Sequence, residues 1–449
     1  MAIVSIKRKP KIKLKQFPST KAKLNLLTIF KRNILYKLTM KPKLIITIFL
    51  SLITILSKAQ SRYNIIYEKQ LGQTFAGENI NAGFHLLDYA DSLIIPKSLV
   101  KERKVAKVIN PLYRFTKFLF VNYLFTDFVM TMNHERFGHG YRMLEAEGEI
   151  TEIVYNLPPP FPGSDFSYIS YNIGPNETPQ QQLAVKFGGS EANLVFSDIL
   201  RKNALLEGRF SHNFSFPYLY GSNDMPGYTA FVTNPWGDPN RYRNLINTFY
   251  GAENLTKEKM RTYSLIGMLT DPINFYAFKS LFFDYLIKGR HSCAVKMIGL
   301  SPRLKYLPRF RFEYTPYGPE LIYQNYFKLD SKLLQLNVSH SDGTFASSWR
   351  VAVNAWNLQT TKSLSFNLSG QIWQQPTIDY YINGENHQSE GIGGQFVTTI
   401  NYDIISDNHI FGLTLQSGYK SSGYALGEQL GKGLIIRGGL TFKLGNNSQ

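Results

Sequence analysis

The chain has 449 residues, 43% hydrophobic and 14% aromatic, which suggests two or three domains with enough apolar side chains to bury a core. Its net charge of +18 suits a nucleic-acid partner, but the distribution of that charge argues against one: residues 1–60 hold 14 Lys or Arg and no Asp or Glu, whereas the rest has 36 basic and 32 acidic side chains, and a nucleic-acid binder carries its basic patch on the folded part. The single cysteine, Cys293, excludes a disulfide within the chain.

Residues 40–59 have the three parts of an export signal. Two lysines follow Met40, Leu44–Leu56 is an uncharged and mostly apolar run, and small residues stand at the −3 and −1 positions of a cleavage site that ends at Ala59. Because the run is short for a membrane-spanning helix, we expect a cleaved signal peptide. Residues 1–39 are then a basic extension, which a mis-called start upstream of Met40 explains.

The first part of the mature chain leads into a long helix. Residues 60–110 mix short apolar stretches with turn residues, so we expect an irregular segment with one or two strands. Residues 111–146 predict a helix. Its first half, 115–130, is apolar nearly all round and is expected to be buried. Asn122 and Asp127 interrupt that run, which argues against a lipid-facing span.

The sharpest local motif, His134-Glu135-Arg136-Phe137-Gly138-His139, lies in this helix. The usual zinc-binding helix motif, H-E-x-x-H, places two imidazoles on one face with Glu as general base, but here one extra residue separates them. On a regular helix an i, i+5 pair points about 140° apart. The two rings share a metal only if a π-bulge absorbs one residue, and Gly138 is the least restrictive place for that distortion.

With its extra residue, this string resembles the H-E-x-x-G-H motif of the dipeptidyl peptidase III family of zinc metallopeptidases. The resemblance implies that His134 and His139 are zinc ligands and that Glu135 is the base that activates a water molecule. In such gluzincin enzymes a Glu on a later helix is the third ligand. Glu191, 52 residues after His139, is the natural candidate here.

Asp127 is a further candidate near the motif. It lies seven residues before His134, on the same face of the predicted helix. Two interpretations stay open for it. It could orient His134 as a partner behind the metal ligand, or it could be a buried polar residue that serves only the core.

Further helices and a pair of strands complete a mainly helical domain at residues 111–299. We expect strands at 150–155 and 166–171, helices at 180–206, 241–250 and 257–288, and an ordered loop at 217–239. The last helix contains Pro272, near which we expect a break.

Alternation of apolar and polar residues becomes the rule after residue 299. Eight candidate strands share it: 308–314, 321–329, 333–340, 349–355, 364–372, 395–403, 411–416 and 436–444. A soluble β-sandwich also alternates. Transmembrane barrels, however, use an even number of such segments with apolar side chains outward and polar ones inward. The final segment, ending in Phe442-Lys443-Leu444, resembles the closing strand of bacterial outer-membrane barrels, and this resemblance covers roughly residues 303–444.

The predicted fold class is therefore α+β, with a mainly helical, zincin-like domain followed by a barrel of about eight antiparallel strands at residues 300–449. The first functional hypothesis is a zinc metallohydrolase of the peptidase class, anchored among the lipids of the cell outer membrane and acting on a peptide or protein. The alternative is a non-enzymatic structural or transport barrel with a helical plug or docking domain. A third interpretation puts the helices at 111–132 and 261–288 in the inner membrane, where a terminal barrel would have no place.

Overall fold

The computed structural model describes residues 62–94, 98–101, 103–156, 167–250, 255–341, 348–361, 363–377, 379–382, 385–389, 391–405 and 410–443. These residues belong to one compact unit. The predicted signal peptide and basic extension lie outside the described residues, as do residues 157–166.

Helices form most of the described chain before residue 290. The α-helices are α1 (Gln73–Ile94), α2 (Arg103–Lys117), α3 (Leu124–Met132), α4 (Gly140–Glu145), α5 (Pro179–Glu207), α6 (His212–Phe231), α7 (Asp238–Tyr250), α8 (Lys257–Leu269) and α9 (Pro272–Phe278). The π-helical segments are π1 (Phe118–Tyr123), π2 (Asn133–His139) and π3 (Lys279–Ile287). Segments π1 and π2 join α2, α3 and α4 into one continuous helical run.

Several predicted helices are confirmed. The long helix expected at 111–146 is the run from α2 to α4, α5 matches 180–206, and α7 matches 241–250. The helix expected at 257–288 is broken where Pro272 begins α9. The side chain of Asp271 caps that new helix by accepting a hydrogen bond from the backbone N–H of Ile273 at 3.0 Å.

Two predictions for the helical region are wrong. The segment 60–110, expected to be irregular with one or two strands, does contain a strand at Tyr63–Tyr67, but most of it is helical and includes the 22-residue helix α1, which packs against α5. The supposed loop at 217–239 is largely helix α6, with Pro217 and Pro226 inside it. A proline removes a helical hydrogen bond, but α6 buries side chains such as Tyr218, which is 0% exposed, and this burial outweighs the loss.

A ten-stranded antiparallel sheet follows, in the order β1-β16-β15-β14-β11-β10-β9-β8-β7-β6. Its strands are β1 (Tyr63–Tyr67), β6 (Ile298–Gly299), β7 (Leu304–Thr315), β8 (Gly318–Leu329), β9 (Lys332–Ser341), β10 (Ser348–Gln359), β11 (Leu364–Gln374), β14 (Ile392–Ile405), β15 (Ile410–Lys420) and β16 (Gly433–Lys443). All eight predicted strands are present, and β1 and β6 extend the sheet.

The remaining strands form three small antiparallel pairs. These are β2 (Glu149–Val154) with β3 (Tyr168–Asn172), β4 (Arg209–Ser211) with β5 (Ser292–Ala294), and β12 (Asp379–Ile382) with β13 (Glu385–Gln388). The first pair matches the strands predicted at 150–155 and 166–171.

The large sheet is not closed into a barrel, since no described pairing joins β6 to β1. Helices instead meet both edges. At β1, the amide of Asn79 in α1 accepts from the N–H of Ile66 and donates to its carbonyl, both at 2.9 Å. At the other side, the two-residue strand β6 pairs only with Lys305 and Tyr306, so β7 is the edge strand beyond them. There the hydroxyl of Thr270, just after α8, makes the same two bonds to Phe310 at 3.3 Å. One residue on each side thus has its backbone groups satisfied by a side chain from the helical region.

The two faces of the sheet are inverted relative to a soluble protein. On β15, Leu413 and Leu415 are 50% and 47% exposed, whereas Thr414 and Gln416 are 3% and 6% exposed. The same apolar exposure recurs along the sheet at Tyr323, Leu336, Val338, Trp349, Val353, Ile372, Phe396, Leu434 and Ile436. The alternation predicted from the sequence is confirmed, with the polar side facing the helices.

The polar face encloses a cavity of about 270 Å³ against α1 and α5. Arg350, which lines it, is paired with Glu313 and Glu320. Arg311 reaches across the cavity edge to Asp198 of α5. These buried arginines are therefore paired with carboxylates.

The apolar run at 115–130 is only partly buried, contrary to prediction. Val129 and Met130 face the core, but one side of the run is exposed at Phe115, Leu119, Phe120, Val121, Phe125 and Phe128. A second helical surface, on α9 and π3, exposes Phe275, Phe278, Phe283 and Ile287. Among the described residues, no helix is both long enough and apolar enough to cross a membrane.

Candidate metal centre

The motif helix contains the π-turn that its spacing requires. Segment π2 covers Asn133–His139, and the backbone N–H of Gly140 bonds to the carbonyl of Glu135, five residues earlier. A π-turn absorbs one extra residue. The predicted bulge is therefore confirmed. It turns the imidazoles of His134 and His139 toward one another, whereas a regular helix would point them apart.

Three side chains converge at this point. The Nε2 atoms of His134 and His139 are 3.2 Å apart. Oδ2 of Asp238, in the first turn of α7, is 3.4 Å from Nε2 of His139 and 3.9 Å from Nε2 of His134. Tetrahedral ligands at ~2.0–2.2 Å from zinc lie ~3.3–3.6 Å apart. This group can hold a metal ion.

Hydrogen bonds at the opposite ring atoms set the tautomers. Nδ1 of His139 lies 2.6 Å from the carbonyl oxygen of Val185, and Nδ1 of His134 lies 3.0 Å from Oδ2 of Asp224. A carbonyl or carboxylate oxygen only accepts, so each neutral ring carries its proton on Nδ1. The two Nε2 lone pairs then face each other at hydrogen-bond distance, and a cation between them satisfies both.

Asp224 is held by polar side chains from α5. The amide of Asn193 donates to its Oδ2 at 2.9 Å, and the same Asn193 accepts from Asn133 of π2 at 2.9 Å. Burial would raise the pKa of Asp224, but His134 and the hydrogen bonds from Asn193 and Ser190 outweigh it and lower that pKa. The carboxylate stays charged and fixes the ring of His134.

The acids make the centre attractive to positive charge. Burial opposes protonation of His134, yet Asp224, Asp238 and Glu135 together raise the pKa of this imidazole well above its usual value. Burial likewise opposes ionisation of Asp238, but the two imidazoles hold its pKa below the usual range. A proton or a metal ion is therefore stabilised between these groups.

Glycines allow π2 and α5 to approach closely. A Cβ on Gly138 would lie 2.5 Å from the carbonyl oxygen of Gly188 and 2.7 Å from the nitrogen of Gly189. A Cβ on Gly189 would collide with the ring of His134 and come within 2.6 Å of Nε2 of His139. No side chain fits at these positions, so the backbone of α5 packs directly against both imidazoles.

The centre is partly open to its surroundings. The side chain of Asp238 is 25% exposed, that of His134 is 16% exposed and that of His139 is 9% exposed. Three protein ligands with an open fourth position characterise catalytic rather than structural zinc sites.

The structure does not bring Glu191 to the two imidazoles, and the prediction that it is their third partner is wrong. Its carboxylate pairs with Arg142, with Nε–Oε2 at 2.9 Å and Nη2–Oε1 at 2.5 Å. It also accepts from Gln73 at 3.0 Å and from the backbone N–H of Gly427 at 3.1 Å. Residues two apart on a helix point about 200° apart, so Glu191 faces away from the side on which Gly189 meets the rings.

The other two predicted residues have different positions. Glu135 is 6% exposed in π2, and its charge acts on the neighbouring His134. Asp127 acts electrostatically on Tyr123 and Tyr220 instead. The place behind His134, one of the two interpretations left open for Asp127, is occupied by Asp224.

Sequence reasoning missed both Asp224 and Asp238, because it assigned 217–239 to a loop. One local signal was present for Asp238: it precedes Pro239, and Asp-Pro is typical of a helix start. An acid at the start of a later helix is a reasonable ligand candidate. Nothing local distinguishes Asp224, which lies in the interior of α6.

Comparison with known proteins adds no family. No family model matches the chain, no curated protein is significantly similar to it, and no solved structure matches its fold.

Proposed function

We propose that this protein is a zinc hydrolase of the peptidase class, held in the bacterial outer membrane by its sheet. The observation that carries the catalytic part is the convergence of the Nε2 atoms of His134 and His139 with a carboxylate oxygen of Asp238, all within 4.8 Å of one another. His₂-carboxylate with an open position is the ligand set of many zinc hydrolases. It also occurs in Fe(II) enzymes, so the metal itself must be tested.

The residues have complementary roles in this proposal. Zinc, when bound, supplies Lewis acidity toward a carbonyl oxygen and toward water. Glu135, which follows the first ligand directly, accepts the proton of the attacking water at its carboxylate and returns it to the leaving amine. Asp224 and the carbonyl of Val185 keep both imidazoles in the tautomer that presents Nε2. These roles match those implied by the resemblance to dipeptidyl peptidase III, with Asp238 in place of Glu191.

The inverted sheet supports the membrane part of the proposal. A soluble monomer rarely exposes a contiguous apolar patch beyond a few hundred Å², yet exposed apolar side chains occur from β8 to β16. Strands with apolar side chains outward and polar side chains inward are the pattern of outer-membrane proteins. Side chains from the helical region satisfy the backbone of Ile66 on β1 and of Phe310 on β7, which protects part of each open edge.

Metal analysis of the purified full-length chain tests the centre. We expect about one zinc per chain, lost in His134→Ala, His139→Ala and Asp238→Asn but retained in His387→Ala, whose histidine is exposed on β13. Iron in place of zinc, or a metal content unchanged by these substitutions, would remove the zinc proposal.

Peptide-library hydrolysis tests the chemistry. Glu135→Gln should retain zinc but lower the rate about 10²–10⁴-fold, the usual contribution of a general base. If the metal is bound and Glu135→Gln changes no measurable function, the non-enzymatic alternative is favoured, and the sheet with its polar cavity becomes the part to study as a structural or transport element.

A further inference from the structure

A second concavity of the molecule differs in character from the polar cavity. It is a groove of about 470 Å³ bounded by β1, α1, α3 and π2. Its lining is almost wholly apolar and includes Ile65, Phe75, Ile80, Phe84, Phe125 and Val129. The polar member, Asn79, already uses its amide on the backbone of Ile66. The groove therefore offers little to a polar ligand.

The groove lies where two exposed apolar surfaces meet. Ile65 is 42% exposed on the outward face of the sheet, and Phe125 is 41% exposed on the outward face of α3. Gly83 of α1 leaves the groove open, because a Cβ there would meet no atom within 4 Å. The concavity is thus continuous with the surface that we propose faces lipid.

The chemistry of the lining restricts the occupant. Asn79, the polar side chain of the lining, is already occupied, so the groove offers no side-chain partner to the backbone of an extended peptide. An extended hydrocarbon chain needs no such partner, and 470 Å³ is within the range of small-molecule sites. We propose that this groove binds one acyl chain of a bilayer lipid.

The position of the groove connects it with the metal centre. Met132 and Phe137, which line it, belong to the same helical run as His134 and His139. A bound acyl chain would therefore contact the helical run that carries the metal ligands. The inference rests on the membrane placement proposed above and is independent of the zinc chemistry.

Photo-crosslinking in vesicles tests the proposal. The full chain is reconstituted in phosphatidylcholine whose acyl chain carries a diazirine, and the labelled residues are mapped by mass spectrometry. We expect labels at Phe75, Ile80 and Val129. Gly83→Trp should fill the groove and lower these labels at least tenfold, while the matched variant Gly83→Ala should leave them unchanged.

Labels at Ile372 and Leu413 on the outward face of the sheet serve as the internal control for membrane insertion and folding. If these residues are labelled but the groove is not, or if Gly83→Trp leaves the groove labels undiminished, the acyl-chain site is wrong and the membrane placement stands. Absence of label at both places would overturn the membrane placement itself.

Discussion

The helical region and strands β14 to β16 of the sheet bury largely opposite kinds of side chain. The helices enclose an apolar core that includes Phe196, Leu200 and Phe210. The sheet turns Thr414 and Gln416 inward and leaves Leu413 and its neighbours exposed. Within the helical region, buried charges are paired, as at Arg142–Glu191 and at Arg201–Asp271. The difference shows that the kind of side chain that is buried depends on what surrounds each face. The helical region lies between water and an apolar core, whereas we propose that the sheet lies between lipid and a hydrated interior.

The largest effect is expected at the buried ion pair of the helical region. Arg142 and Glu191 both have side chains that are 0% exposed. Arg142→Met leaves the carboxylate of Glu191 without its cation, so the free energy of unfolding should fall by about 3–5 kcal/mol, measured by urea denaturation. The double variant Arg142→Met/Glu191→Met should regain most of that loss. A double variant as unstable as the single one would show that packing, and not an unpaired charge, is responsible.

The next effect tests whether the exposed apolar face of the sheet contacts lipid. In lipid vesicles Leu413→Arg should lower the free energy of unfolding by about 2–4 kcal/mol if this residue lies near the bilayer midplane. Leu413→Ala shortens the side chain without adding a charge, so it should lower the free energy of unfolding by less. In water an exposed Leu→Arg change stays within about 0.5 kcal/mol, and a result of that size would contradict lipid contact.

A smaller effect tests which acid supports the ring of His134: Asp224, which contacts it in the structure, or Asp127, which the sequence suggested. Asp224→Asn removes the carboxylate that holds Nδ1 of this ring, so zinc affinity should fall about 10–100-fold, or about 1.4–2.7 kcal/mol. Asp127→Asn is the matched control and should change zinc affinity less than twofold. Isothermal titration with zinc measures both, and equal losses in the two variants would restore Asp127 as a partner of the site.

The smallest effect is expected where helix and sheet meet. Thr270→Val removes both hydrogen bonds to Phe310 and should cost about 0.5–1.5 kcal/mol. The amide of Phe310 should then exchange with deuterium faster, while the amide of Ile66 at the other edge, held by Asn79, keeps its rate. Unchanged exchange at Phe310 would mean that Thr270 does not protect this edge.

Local periodicity determined much of what the sequence predicted. The eight strands at 300–449 follow from alternation along each segment, and the inverted faces follow from the same pattern. The spacing of His134 and His139, with Gly138 between them, required a π-turn. These features depend on neighbouring residues, so they are readable without knowledge of what packs against them.

Only the tertiary structure decided which acid completes the metal centre. Glu191, Asp224 and Asp238 all lie on helices distant in sequence from the motif, and no local pattern ranks them. The close approach of Gly138 to Gly189 fixes the face of α5 beneath the rings, and it turns Glu191 toward Arg142. The packing of α6 and α7 then brings Asp224 and Asp238 to His134. Contacts between helices far apart in the chain depend on how several elements pack at once, which the order of residues along any one of them does not specify.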